Sequence, residues 1–388
     1  MLHPAANKKQ QGGGIIIKNE DASMDTKVAA SSTFRTSTGA ASHAFVGSFT
    51  TEKRKARGQG IDIYKIDADG WNKTGHVGDL VNPSFLVSDP PRGVFYAVHG
   101  DSDFASAFRL DPQTGTLRLL SRAATGGMNG VHQALTASGR YLLVANYASG
   151  SVAALPVEPD GTLLPFIDLL ELPGEVGPHR HEQRGSHPHH IVPDPSGQYF
   201  LVPDKGLDCV FTLAFDENDK RLRIVSRATF RPGAGPRHIA FHPRENVAFL
   251  VNELESSLAF CRWDEASGTL TALQQDSTLP ENFFGASTAA AIAVTPCGKF
   301  IYASNRGQDG IACFRYDSAA QRIASVRWTP SGGRDPRFIT LSADETQLIV
   351  ANEQGDNLIF FGIDSTDGTL TRLDQDLPSL SPSTIAFL

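Results

Sequence analysis

Two polar markers recur along this chain in lockstep, and they constrain its fold more than any other feature. A short β-rich run ends in a small or polar residue at "FVGS" (Gly47), "YAVHG" (His99), "LVANY" (Asn146), "LVPDK" (Asp204), "LVNEL" (Asn252), "YASNR" (Asn305) and "IVANE" (Asn352). A second run ends in an acidic residue at "YKID" (Asp67), "FRLD" (Asp111), "LPVE" (Glu158), "LAFD" (Asp216), "CRWD" (Asp264), "FRYD" (Asp317) and "FGID" (Asp364). The first markers are spaced by 52, 47, 58, 48, 53 and 47 residues. Two independent markers with the same count of seven define a repeat of about 50 residues. Alternating β-branched and aromatic stretches such as "CVFTLAF" lie between them, punctuated by "DPSG", "TPCG" and "DGTL" turns.

The pattern predicts an all-β, seven-bladed β-propeller over residues 44–388, with four strands per unit around a central channel. Paired β-sandwiches compete less well, because sandwiches do not keep a fixed period. The final "SPSTIAFL" matches the first strand of a repeat and stops there. It is expected to complete the blade begun by "AFVGSFT", closing the ring without an exposed edge. The single "WD" at Trp263 and Asp264 has no counterpart in other repeats. Residues 1–43, rich in Gly, Ser, Thr, Lys and Gln, read as a disordered leader, within which Met24 is an alternative start.

A net charge of −7 disfavours a nucleic-acid or anionic-membrane surface. No apolar run approaches the roughly 18 residues of a membrane span. The cysteines Cys209, Cys261, Cys297 and Cys313 form no CxxC pair and read as reduced, which with the lack of a secretory signal places the chain in the cytoplasm. Neither a GxSxG elbow nor a dinucleotide fingerprint is present, since "GAGPRH" lacks the third glycine.

In an antiparallel blade the innermost strand begins at one channel mouth and the next strand ends there. Aligned on their apolar pattern, the innermost strands enter with Ser84, Val131, His189, Arg237, Ala290, Arg337 and Ser383. The residue after each first marker is Ser48, Gly100, Tyr147, Lys205, Glu253, Arg306 and Glu353. One mouth should therefore collect His189, Arg237, Arg337, Lys205, Arg306, Glu253, Glu353 and Tyr147. Converging cations in an acidic protein point to an anionic small molecule, phosphorylated or carboxylated. Blade-to-blade salt bridging is the alternative reading of the same charges.

The strings "SHPHHIVPDPSGQYFLVPDKG", "GAGPRHIAFHP", "FLVNELESS", "GKFIYASNRGQD" and "YLLVANYASGSV" resemble the lactonase family of seven-bladed propellers. That family includes the propeller-type 6-phosphogluconolactonases and the fungal 3-carboxy-cis,cis-muconate lactonizing enzymes. The resemblance covers Phe45 to Leu388 and implies a catalytic set of His189, Arg237, Glu253 and Arg306. It also implies hydrolysis of an anionic sugar lactone, with Glu253 or His189 as general base and Arg237 and Arg306 binding the anionic tail and stabilising the oxyanion. Arg337, Lys205, Tyr147 and Glu353 follow as substrate contacts. A carboxymuconate cycloisomerase and a non-catalytic ligand-binding propeller are the alternatives. The chain departs from the family at "YAVHGD", where His99 and Gly100 stand for an Asn and an acidic residue, at Ala293, where the family commonly has "IH", and at Gly130, where it has proline.

No cofactor is expected. A Ca²⁺-dependent lactonase would need a set of oxygen ligands, whereas this mouth is rich in arginine. The histidine-rich stretch "HRHEQRGSHPHH" (His179–His190) falls in the longest gap. His179, His181 and His187 read as loop residues and His189 as a site residue. His190 shares a register with His132 and His238, which suits packing between blades. A zinc site would need further convergent ligands, so no metal is expected. Oligomeric state is not readable.

Overall fold

The computed structural model describes residues 42–111 and 114–388. The expected leader lies outside them apart from Ser42 and His43, and the first strand begins at His43. Among the described residues, twenty-eight strands form seven four-stranded antiparallel sheets. We number the blades from the closing one. Blade 1 is built from Pro382–Phe387, His43–Ser48, Ile61–Asp67 and Gly70–Val77, in that order outward from the channel. The C-terminal strand pairs with the N-terminal one from Ala44↔Phe387 to Ser48↔Pro382, so the expected closure is present. Blades 2 to 7 follow in chain order, with innermost strands at Pro83–Asp89, Gly130–Leu135, Val192–Pro193, Pro236–Phe241, Thr288–Val294 and Pro336–Leu341.

The strand sequences follow from their positions. Second strands such as Tyr141–Asn146 and Val247–Asn252 are buried throughout, because both faces of the sheet meet neighbouring blades; hence their continuous apolar runs. Outermost strands such as Arg221–Thr229 expose most of their residues and read as polar. The core is distributed: among the described residues, seven apolar clusters each bridge one pair of adjacent blades. At the seam between blades 7 and 1, Trp71 packs edge-on against Phe360 at 5.1 Å and Phe387 at 5.7 Å.

Both repeat markers are fold residues. The six aspartates among the acidic ones accept a backbone N–H two or three residues on, as Asp216 does from Asn218 and Asp364 from Thr366, which tightens the turn into the outermost strand. The first markers are fully buried and tie the turn at the mouth. Asn352 Nδ2 donates to Ser331 O, while Asp204 Oδ1 accepts from the N–H of His187, Gly206 and Leu207. His99, in the Asn position of blade 2, reaches Val81 O at 2.7 Å and Ser106 Oγ at 2.8 Å. The larger ring serves the same end.

Candidate active site

Every blade carries one extra residue on its innermost strand where that strand enters the channel. In blades 1, 2, 3, 5 and 7 the residues skipped by the ladder are Ser383, Ser84, Val131, Arg237 and Arg337. In blade 4 the extra residue falls between Pro188↔Asp204 and Val192↔Leu201, the segment that holds His189; in blade 6 it falls between Ala289 and Ile292. A bulge frees a side chain from the alternation of the strand and re-aims it. Ser84, Val131, His189, Arg237, Arg337 and Ser383 accordingly line one cavity at this mouth, together with Phe49 and Arg54. Ala290 is not among the lining side chains; its carbonyl accepts from Arg237 Nη1.

Glu253 is the hub of the charges. Its carboxylate lies 2.9 Å from Arg237 Nε, 3.0 Å from Lys205 Nζ, 3.2 Å from Arg306 Nη2 and 4.0 Å from His189 Nε2. Burial alone would raise its pKa, but Arg306, Lys205 and Arg237 outweigh burial and hold the carboxyl well below the usual range. His189 goes the other way. Burial and the nearby Arg237 push it well below an ordinary imidazole, against the pull of Glu253. At neutral pH the pair is thus an ionised carboxylate beside an uncharged ring.

Lys205 is also bonded to Glu182 at 2.7 Å and lies 5.5 Å from the centre of the Tyr147 ring. Burial lowers its pKa, but Glu253 and Tyr147 more than restore it. Tyr147 in turn meets His189 edge-on at 5.4 Å. Arg337 pairs with Glu353 at 3.3 Å. The cations Arg237, Arg306, Lys205 and Arg337 face Glu253 and Glu353, with Glu182 also on Lys205, so four cations meet three carboxylates at the mouth.

Several polar atoms here are buried without an aligned hydrogen bond: His189 Nδ1, Ser84 Oγ, Arg306 Nε, Arg237 Nε and Glu253 Oε2. The two Arg237 and Glu253 atoms are ion-paired with each other, but the N–H is not aimed at the oxygen. A buried polar atom without a partner is costly and calls for an explanation.

The structure also brings in residues that the repeat could not reveal. Phe49 and Arg54 belong to the connection after the first strand of the chain. The Arg54 guanidinium lies 4.4 Å from the Phe49 ring centre and that of Arg337 4.8 Å. Arg54 is held by Asp101 at 2.6 Å. Gly100 lies beside both, since a Cβ there would be in ordinary contact, 3.5 Å, with Arg54 Nη2 and the Phe49 ring.

The histidine-rich stretch divides. His179 and His181 are exposed. His187 is a loop residue and half-buried: it stacks on Tyr147 at 4.6 Å and donates from Nδ1 to Tyr147 O. Among the described residues no three His, Cys, Asp or Glu side chains are grouped to hold a metal ion. All four cysteines are free, and no described helix is long and apolar enough to cross a membrane.

Residues 43–387 match the family model "Lactonase, 7-bladed beta-propeller". The 6-phosphogluconolactonase of Bacillus subtilis is 30% identical over 349 residues, 89% of this chain and 97% of that protein. The periplasmic gluconolactonase PpgL of Pseudomonas aeruginosa superposes with a TM-score of 0.81 at 30% identity, over 89% of this chain and 98% of that one. A Lactobacillus plantarum protein superposes with a TM-score of 0.82 at 28% identity, over 90% and 99%. The chain belongs to the lactonase family of seven-bladed β-propellers.

Proposed function

We propose that this lactonase opens an anionic sugar lactone of the 6-phosphogluconolactone type at the bulged mouth, with His189 as general base. The observation that carries the reading is the pairing of an uncharged, buried His189 with an ionised Glu253 at a mouth where four cations meet three carboxylates. Glu253 is too strongly held by its three cations to take a proton at neutral pH. The neutral imidazole is able to, and its Nδ1 has no protein partner.

In the proposed reaction His189 Nδ1 takes a proton from water as the water oxygen bonds to the lactone carbonyl carbon. The imidazolium that forms is stabilised by Glu253 on its Nε2 side. Arg306 Nε–H and the spare N–H groups of Arg237 receive the oxyanion. The ring C–O bond then breaks, and His189 returns the proton to the leaving alkoxide. No covalent enzyme intermediate is needed. The enclosed part of the mouth measures about 30 Å³, room for about one water. The sugar ring is therefore placed in the open funnel above, with its anionic group toward Arg337 and Arg54. We assign the protein to the cytoplasm on its four unpaired cysteines, although the Pseudomonas relative is named as periplasmic.

The test is hydrolysis of 6-phosphogluconolactone by the purified protein and by His189→Ala and Arg306→Ala. Activity in the parent with at least a hundredfold loss in His189→Ala supports the proposal. Equal rates in parent and variants remove the site assignment. No hydrolysis by the parent, with cyclisation of 3-carboxy-cis,cis-muconate instead, shifts the reading to the lactonizing enzyme.

A further inference from the structure

The larger cavity lies in the other half of the channel. It measures about 320 Å³, at the small end of ligand pockets and about twice the size of one that holds benzene. It runs along blades 5 to 7 toward the opposite mouth, where Arg244 and Glu345 stand at its rim. Phe241, Ile292 and Leu341 supply its apolar wall. Phe85, His238 and Phe338 border both this cavity and the one at the mouth, forming a partition between them.

His132, His190 and His238 crowd together at the partition. Ring centres are 3.9 Å apart for His132 and His190, and 4.5 Å for His190 and His238. Each residue is more than nine-tenths buried, and burial, together with neighbouring charge, keeps each ring neutral, His190 being lowered to about 3. The hydrogen bonds fix two tautomers. His132 Nδ1 accepts from the N–H of Ile191, and His190 Nδ1 accepts from the N–H of Ile239, both at 3.4 Å. A neutral ring that accepts at Nδ1 carries its proton on Nε2. These two Nε2–H donors have no partner among the described residues. They belong to rings that line the cavity.

We propose that the far half of the channel is a second ligand site, for an uncharged, mainly apolar ring compound bearing one hydrogen-bond acceptor oxygen that meets the Nε2–H groups of His132 and His190. The apolar wall disfavours a charged body, because the nearest charge, Arg237 behind His238 at 3.2 Å, is already paired with Glu253 at 2.9 Å, and a further ion there would be desolvated without a free counter-ion. The two donors select an oxygen acceptor over a plain hydrocarbon, since an unmade buried hydrogen bond is costly. The site is independent of the lactone chemistry at the other mouth.

The probe is 1-indanone, with indane as the analogue lacking oxygen, titrated into the full-length protein by ligand-observed NMR. Binding of 1-indanone at least tenfold tighter than indane is expected. Ala293→Phe, at a residue that lines the cavity outside both charged rings and also packs in the core between blades 6 and 7, should abolish binding in a protein shown to be folded and leave lactone hydrolysis unchanged. In the parent protein, 1-indanone should shift the ¹⁵N resonances of two imidazole Nε2 atoms, a readout that needs no variant. Equal affinity for indane and 1-indanone, retained binding in a folded Ala293→Phe protein, or unmoved imidazole resonances at saturation would each overturn the proposal.

Discussion

Lowering the pH from 8 to 5 should destabilise this protein far more than its carboxylates can explain. His132, His189, His190 and His238 are buried and held neutral in the folded chain, with His190 lowered to about 3 and the others well below 6.5. In the unfolded chain each returns to about 6.5. Below that value the unfolded state binds protons that the folded state refuses, so acid favours unfolding. At pH 5 each ring contributes about 2 kcal/mol of lost stability, and the four together about 8 kcal/mol. That is comparable to the whole stability of a typical domain, about 5–15 kcal/mol. Glu253 does not confuse the window. A carboxyl lowered on folding contributes stability that is present above about 4.5 and lost only as pH falls further. The assay is urea unfolding followed by tryptophan fluorescence at pH 8 and 5, for the parent and for His190→Phe. The variant keeps a ring against His238 and removes one titrating site, so its loss between the two pH values should be smaller by about 2 kcal/mol. An identical loss in both proteins, or a flat profile in the parent, would refute the reasoning.

Two kinetic predictions follow from the mouth. The acid limb of kcat/KM should lie below pH 6.5, because His189 is lowered, and Glu253→Gln should move it lower still by removing the group that raises it. A unit pair at 4.0 Å attracts by about 4 kcal/mol at an effective dielectric near 20. Part of this is cancelled by the surrounding cations, so a fall in kcat of about 10²-fold is expected on that substitution; an unshifted limb would exclude His189 as the titrating base. Arg54→Met should raise KM for 6-phosphogluconolactone about tenfold, roughly 1.4 kcal/mol, and leave uncharged gluconolactone unaffected. Equal effects on both lactones would mean that Arg54 does not read the charge.

The repeat made the fold and most of the mouth legible for one reason: residues at equivalent stations are brought to equivalent places. His189, Arg237 and Arg337 were found as entry residues, and Lys205, Glu253 and Arg306 as the residues after a marker. Their electrostatics were not legible. The apolar alignment finds the station but not the bulge, since an extra residue there leaves the downstream pattern intact. Which carboxylate is ionised depends on distances to Arg237, Lys205 and Arg306 that no spacing encodes. Phe49, Arg54 and Glu182 were invisible because they lie in connections outside the repeat register. The shared register of His132, His190 and His238 could be read, but their role is more than packing. An innermost strand leaves an edge of backbone groups facing the channel, and the imidazoles of blades 3 and 4 accept N–H groups from blades 4 and 5.

The seven entry bulges also bear on how such a fold can change its chemistry. A side chain outside the ladder can be exchanged without altering strand pairing on either side. Ser84, Val131 and Ser383 already stand at these stations with no charge of their own. Placing amide, acidic or aromatic side chains there would recast the lining of the mouth combinatorially while the seven inter-blade cores stay untouched. The architecture thus separates the positions that line the mouth from those that hold the ring shut, and a library confined to the bulges should stay folded while its selectivity diverges.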